Sequence, residues 1–447
     1  MKFRVNDPLS ITAAARDAAD VVALHVGHER FTFARLADLV RARLASLGPE
    51  LAPGRPVPLV GRNTLERIVM LYTLLEARVP VLLLHPKLTE IERAAEIAAT
   101  ARAAGTLPED AAVIMYTSGT TGQSRGAVLT RSALVASARA SAANMGWEPD
   151  DCWLLAMPIA RVGGLSIVTR CLIARRTVAL APSFDAALVP AWIDQWGVTL
   201  ASMVPTMLAL TLDRHPDWRS PPSLRCIQVG GAEAPPRLLK EAAQRKVPVV
   251  ITYGCTEMCS QVVATPYEQR MNPAPCGAGR PLPGADVRVV DGRIEVRGPM
   301  RMAGYLGAEP LAADAWFDTG DVGQFDANGC LHVRARRADL IVSGGENVYP
   351  AEVERVLEAC RGIRAAAVFG VPDETWGQVV AVALVADATP PTEDDLVAFL
   401  DHHLARHKRP RLVAFVAELP HTSAGKLDRP ALGALAGALR PLPTARG

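Results

Sequence analysis

Apolar residues cluster in short runs separated by amphipathic stretches along most of the chain. Residues 111–115, 153–157, 177–181, 224–229 and 247–251 are apolar-rich runs of five or six positions. Runs of that length predict buried strands. Between them, residues 190–196 and 237–244 space their apolar side chains as a helix does. Strand alternating with helix predicts parallel sheets covered by helices, an α/β fold.

Two stretches depart from this pattern. Residues 287–296 alternate around Asp291-Gly292, a hairpin signal, so a small β unit precedes residues 316–321. Beyond Arg336 the chain predicts a compact α+β unit. Pro350 sits where a first helical turn tolerates proline, and Val353, Val356, Leu357 and Cys360 follow at helical spacing. Residues 379–386 and 412–417 predict strands. Thr392-Glu393-Asp394-Asp395 resembles a capping box ahead of Leu396, Phe399, Leu400 and Leu404. The change of character after Arg336 predicts two domains. The alanine-rich stretch 94–104 and the tail after Leu432 read only as low-complexity segments.

The chain has 447 residues, ample for a large core and more than one domain. With 48 basic and 46 acidic residues the formal net charge is +2, which gives no reason to propose nucleic acid or an anionic membrane as partner. No apolar run approaches the ~18–20 residues of a membrane helix, and the N-terminus lacks the apolar core of a signal peptide. The eight cysteines are scattered with no C-x-x-C. They predict free thiols in a reducing cytoplasm and neither a disulfide frame nor a zinc site. The sequence leaves homo-oligomerisation open.

The densest chemistry lies in Thr117-Ser118-Gly119-Thr120-Thr121-Gly122, followed by Arg125. Hydroxyls and amides donate to anion oxygens, glycines let the backbone close around them, and a cation supplies countercharge. A polyphosphate suits this loop, although it is not the Gly-x4-Gly-Lys-Ser/Thr phosphate loop. A solvated Gly/Ser/Thr turn is the plain alternative. Three more segments weigh against that alternative: Tyr253-Gly254-Cys255-Thr256-Glu257, Trp316-Phe317-Asp318-Thr319-Gly320-Asp321, and residues 336–354 with Gly344-Gly345-Glu346. Gly425-Lys426-Leu427 follows near the C-terminus. An anion loop, an acid beside a threonine, an acid in a turn and a late lysine suit chemistry on ATP.

In order and spacing these motifs resemble the adenylate-forming superfamily of acyl-CoA synthetases, peptide-synthetase adenylation domains and luciferases, over about residues 20–435. The resemblance implies an ATP- and acyl-binding domain (1–337) and a mobile C-terminal domain (338–447) turning on a hinge at Arg337-Ala338-Asp339. It implies a ligase that joins a carboxylic acid to AMP and then to coenzyme A. In that reading residues 117–122 and Arg125 hold the phosphates. Arg125 stands where the family usually has lysine, and Ala338 where it usually has a polar residue. Tyr253 stacks on adenine beside Gly254 and the turn Gly231-Ala232-Glu233. Thr256 meets the α-phosphate, Glu257 holds Mg²⁺, Asp321 takes the ribose hydroxyls and Arg336 assists. Lys426 bridges substrate carboxylate and α-phosphate, and Gly344, Gly345 and Glu346 line the coenzyme A arm.

Within the superfamily the chain most resembles o-succinylbenzoate–CoA ligases of menaquinone biosynthesis, through residues 253–262, 336–354 and Trp376-Gly377-Gln378. Arg161, Gly163, Gly230 and Ser260 then fall at the acyl site. The family usually has Phe-His where this chain has Ala160-Arg161. Arg161 either pairs with a substrate carboxylate or faces solvent or a structural acid. Other readings are another aryl or acyl acid–CoA ligase, a stand-alone adenylation domain, or a nucleotide binder without ligase activity.

Overall fold

The computed structural model describes residues 7–48, 51, 54–86, 88–118, 124–273, 276–336, 339–343, 346–373, 376–404, 406–422 and 426–442. Among these, the strands form four principal sheets. The largest runs, in spatial order, Arg280–Pro281, Ser260–Ala264, Val249–Cys255, Cys226–Gly230, Leu200–Met203, Cys152–Leu155, Thr177–Leu180, Val22–Val26 and Glu29–Thr32. Its centre is parallel and its rims antiparallel. The central strands are buried along their length, as in Cys152–Leu155 and Leu200–Met203, because helices cover both faces.

The order of this sheet reverses once. Cys152–Leu155 is followed through the helix Val162–Ala174 by Thr177–Leu180 on one side, while the next strand, Leu200–Met203, lies on its other side. Loops leaving the carboxyl ends at such a reversal diverge and open a crevice, the usual ligand position in open α/β sheets. The helix Val162–Ala174 ends where Arg175 adopts a left-handed conformation, and Val189–Trp196 ends the same way at Gly197.

A five-stranded sheet carries the hairpin Ala111–Ser118 and Ser124–Thr130, in register from Ala111↔Thr130 to Ser118↔Ser124. The expected strand at 111–115 thus continues through Ser118. The glycine-rich tip, 119–123, lies outside the described residues. A four-stranded antiparallel sheet contains Asp286–Val290 and Arg293–Arg297, joined through Asp291 and Gly292, both with positive φ as a two-residue hairpin turn demands.

The remaining sheet, of strands between Ile341 and Pro441, has its own buried cluster around Val353, Leu357, Val382, Leu396 and Val413. Its helices Pro350–Glu358 and Glu393–His403 start as the sequence reads; Thr392 caps the second by accepting from the Asp395 amide. The alanine-rich stretch proves structured. It belongs to the helix Glu90–Ala103, opened by a full Thr89–Glu92 capping box. The tail after Leu432 forms a 3-10 segment at Gly433–Ala438 and a strand at Arg440–Pro441.

One expectation is overturned. Cys276 and Cys330, 54 positions apart, form a disulfide with Cα atoms 5.3 Å apart. Residues this far apart in sequence meet because the segment before Arg280–Pro281 folds onto Leu331 of the four-stranded sheet, where the Ala278 amide donates to the Leu331 carbonyl. The other six cysteines are free thiols.

Candidate active site

The crevice deepens into a cavity of about 1430 Å³. That exceeds the ~300–1,000 Å³ of an ordinary small-ligand pocket and leaves room for a nucleotide with a second molecule. Loops from the carboxyl ends of the central strands line it through Met157, Pro182, Val204 and Gly230. The four-stranded sheet contributes Asp318 to Asp321, and the C-terminal unit contributes Thr422 and Lys426.

Thr117, at the hairpin end, lines this cavity and sits opposite Arg125 in the strand register. Its Oγ1 is buried with no hydrogen-bond partner among the described residues. A buried hydroxyl without a partner costs free energy, which an incoming anion oxygen would recover. The Arg125 guanidinium lies 3.9 Å from the ring centroid of Tyr305 and donates to its hydroxyl at 3.2 Å.

The 253–257 motif is divided. On Val249–Cys255, Thr252, Gly254 and Cys255 line the cavity, whereas Tyr253 is not among its lining residues. The Tyr253 hydroxyl instead donates to Asp321 Oδ2 at 2.7 Å and lies 3.0 Å from Thr319 Oγ1. The chain then turns through a short 3-10 segment, Thr256–Met258, and two residues with positive φ, Cys259 and Ser260. Thr256, Glu257 and Ser260 all line the cavity. Gly254 is forced here by space: a Cβ on it would lie 1.9 Å from the Ser260 carbonyl oxygen. Burial, reinforced by Glu257, pushes the Cys255 thiol well up, so it stays neutral. Tyr305 donates to Glu257 Oε1 at 2.8 Å.

Gly230 and Gly231 close the floor. A Cβ on Gly230 would lie 2.3 Å from Thr252 Oγ1, and Gly231, with φ of +83°, would meet Lys426 Cε at 3.4 Å. The lysine side chain therefore reaches across from the C-terminal unit to the strand ends. Its own loop is held by the Thr422 amide donating to the Lys426 carbonyl at 2.7 Å. Ala232 and Glu233 are not among the lining residues. Glu233 instead accepts from Arg355 at 2.6 Å, a contact between the two parts of the chain.

Val162, Gly163, Ser166 and Arg170 line the cavity from one face of the helix Val162–Ala174. Arg161, at its N-cap, also lines it. The acid beside it is Glu96, whose carboxyl is pushed up to about 7 by burial and by Glu92, against the pull of Arg161. Burial holds the Arg161 guanidinium below its ordinary value.

Arg170 was not singled out in the sequence. It is 2% exposed; its guanidinium lies 5.7 Å from the centroid of the Trp153 ring, and its Nη1 donates to Gln228 Oε1 at 3.2 Å. Its Nε and Nη2 have no hydrogen-bond partner among the described residues. Burial lowers its pKa to about 10, still charged at neutral pH. The signal was present: one arginine inside a helix otherwise built of apolar and small residues.

Gly119, Thr120, Thr121, Gly122, Gly344, Gly345 and the hinge positions Arg337 and Ala338 lie outside the described residues. Ser118 ends its strand, Arg336 pairs with Asp321 in the strand register, and Glu346 begins the strand Glu346–Val348. No helix among the described residues is long and apolar enough to cross a membrane.

Comparison with known proteins agrees with this arrangement. Residues 92–306 match the AMP-binding enzyme family and residues 352–426 the AMP-binding enzyme C-terminal domain. A 2-succinylbenzoate–CoA ligase of Bacillus pumilus is 37% identical, over 91% of this chain and 94% of that protein. The o-succinylbenzoate CoA synthetase of Bacillus subtilis, solved with its acyl-adenylate intermediate, superposes with a TM-score of 0.85 at 31% identity, covering 96% of this chain and 98% of that one. The same synthetase solved with ATP and magnesium gives 0.85 at 30% identity, covering 96% and 99%. With a cavity shared between strand ends and a C-terminal lysine, and with relatives matched over nearly their whole length, this chain belongs to the AMP-binding enzyme family, as an AMP-forming ligase.

Proposed function

We propose that this chain joins 2-succinylbenzoate to coenzyme A through an acyl-adenylate. The succinyl carboxylate attacks the α-phosphorus of ATP, the bond from that phosphorus to the bridging oxygen breaks, and pyrophosphate leaves with the electron pair. The coenzyme A thiol then loses its proton and attacks the acyl carbon, and AMP departs. The first step gathers negative charge, so positioning and cationic stabilisation dominate it.

Thr117 and Arg125 suit the leaving phosphates, Thr256 the α-phosphate and Asp321 the ribose hydroxyls. Lys426 suits the point between carboxylate and α-phosphate. Glu257 suits Mg²⁺: among the described residues no group of three or more His, Cys, Asp or Glu forms a dedicated cage, and Mg²⁺ takes one or two carboxylates with phosphate oxygens and waters. Bound there, the ion would offset phosphate charge. Coenzyme A would enter along residues 344–346 once the part beyond residue 337 has turned at 337–339 and withdrawn Lys426.

The observation that carries the acid's identity is Arg170. A buried guanidinium with two unpartnered nitrogens at the acyl end asks for an anion, while Lys426 serves the reacting carboxylate at the other. Together they favour a dicarboxylic acid over a fatty or simple aryl acid. A hydrogen bond to a charged group contributes about 1.5–3 kcal/mol, or roughly ten- to hundredfold. Arg170→Gln should therefore raise KM for 2-succinylbenzoate by that factor in a pyrophosphate-release assay. KM should hardly move for 3-benzoylpropionate, which lacks the ring carboxylate. Equal losses with both acids would refute the pairing. A selective loss in Arg161→Ala instead would move the role to Arg161, the residue the sequence pointed to. Lys426→Ala should lower adenylation with either acid by about two orders of magnitude or more, the cost of removing one transition-state donor.

A further inference from the structure

Tyr305 belongs to none of the motifs read from the sequence, yet it touches two of them. It lies on the two-residue strand Gly304–Tyr305, which pairs with Ala127 and Val128 of the phosphate hairpin. Its hydroxyl donates to Glu257 Oε1 at 2.8 Å and accepts from Arg125 Nη2 at 3.2 Å, with the guanidinium stacked over its ring. The same segment grips Glu257 a second time, through the Met302 amide donating to the Glu257 carbonyl at 2.7 Å. One side chain thus ties the hairpin's cation to the carboxylate that faces the phosphates.

A phenol has one proton to donate. Given to Oε1, it fixes the plane of the Glu257 carboxylate. Orientation matters more here than in a many-ligand centre, since no further acid cluster gathers among the described residues to hold a cation. Partners of this kind, one bond removed from a metal, change metal affinity by about 10–100-fold.

Resting on the ligase reading above, we infer that Tyr305 is a positioning residue. It orients Glu257 toward the cation that accompanies ATP, and it holds Arg125 beside that carboxylate until phosphates take the guanidinium.

The test uses Tyr305→Phe, which keeps the ring and the stacking and removes only the hydroxyl. Binding of ATP to the full chain is titrated calorimetrically with Mn²⁺ present and again in EDTA. The expected result is about a tenfold weaker affinity for the manganese complex, with metal-free ATP affinity and the KM for the acid unchanged. In a cycle with Glu257→Gln, the double variant should bind the manganese complex no worse than Glu257→Gln alone. Unchanged manganese–ATP affinity, or an equal loss in both buffers, overturns the inference and leaves the ligase reading standing. Absence of ATP binding by the unaltered chain in either buffer overturns both. A melting midpoint matching the parent shows that the variant folds; if it does not, 3,5-difluorotyrosine at position 305, which keeps the shape but donates more strongly, must alter manganese–ATP affinity selectively.

Discussion

At the scale of single residues, chemistry and sterics separate cleanly at positions 253 and 254. Both stand in one motif, and both were assigned to nucleotide binding. Gly254 lines the cavity, whereas the Tyr253 hydroxyl bonds to Asp321 and Thr319 at its edge. Gly254 also has no room to change, because its missing Cβ would overlap the Ser260 carbonyl. Backbone cannot yield as a side-chain tip can. Gly254→Ala should therefore cost more than the ~1–3 kcal/mol of ordinary overpacking, lower the melting midpoint and abolish ATP binding, as melting curves and calorimetry would show. Gly163, whose Cβ would meet only the flexible end of Met157 at 3.0 Å, should accept alanine far more easily. A motif shows that such residues matter, but not which of them matters through space and which through contact. Arg170 is the reverse case: it carried no motif, yet an arginine on an apolar helix was legible as a group needing a partner.

At the scale of elements, the strands and helices read from periodicity occur within a few residues of their expected places, because runs of apolar residues bury themselves locally. The hairpin Ala111–Ser118/Ser124–Thr130 extends further than its apolar run. Thr117 and Ser118 remain in the strand through pairing with Arg125 and Ser124, a partner that lies several residues away. The helix Pro350–Glu358 shows a second effect of packing. Its last residue, Glu358, is pushed up to about 7, chiefly by burial and further by Glu354 and Glu233. A carboxylate at a helix C-terminus is also disfavoured by the macrodipole. The folded chain then keeps a proton that the unfolded chain has lost between about pH 4.5 and 7. Folding stability from this group is present at low pH and falls as pH rises through that window. Glu358→Gln should match the parent's melting midpoint near pH 5 and exceed it by a few degrees at pH 8. A parallel pair of melting profiles would show that the group is inert.

At the scale of the whole molecule, two junctions hold the site's surroundings together. The disulfide Cys276–Cys330 clasps the rim of the nine-stranded sheet to the four-stranded sheet that carries Asp321. Closing a loop of 54 positions restricts the unfolded chain by roughly 4 kcal/mol in the chain-entropy estimate. Dithiothreitol should lower the melting midpoint of the parent, and a Cys276→Ser, Cys330→Ser double variant should melt at the lowered value with no response to reductant. The second junction, Arg355 with Glu233, joins the two parts of the chain through half-exposed side chains. Exposed pairs contribute at most about 1 kcal/mol, so this junction holds the two parts together only weakly.

The sequence by itself determined the α/β class, the order of elements, the hairpin at Asp291-Gly292, and the family with its ATP chemistry. Each of these is written in local period, turn chemistry or the spacing of adjacent residues. Tertiary structure alone decided which side of a strand faces the cavity, that Cys276 meets Cys330, that Glu96 stands beside Arg161, and that Arg170 and Tyr305 join the site. Those facts depend on segments tens to hundreds of residues apart being brought within a few ångströms. Such proximity comes from the sum of many packing and pairing terms, and no single stretch of the chain records it.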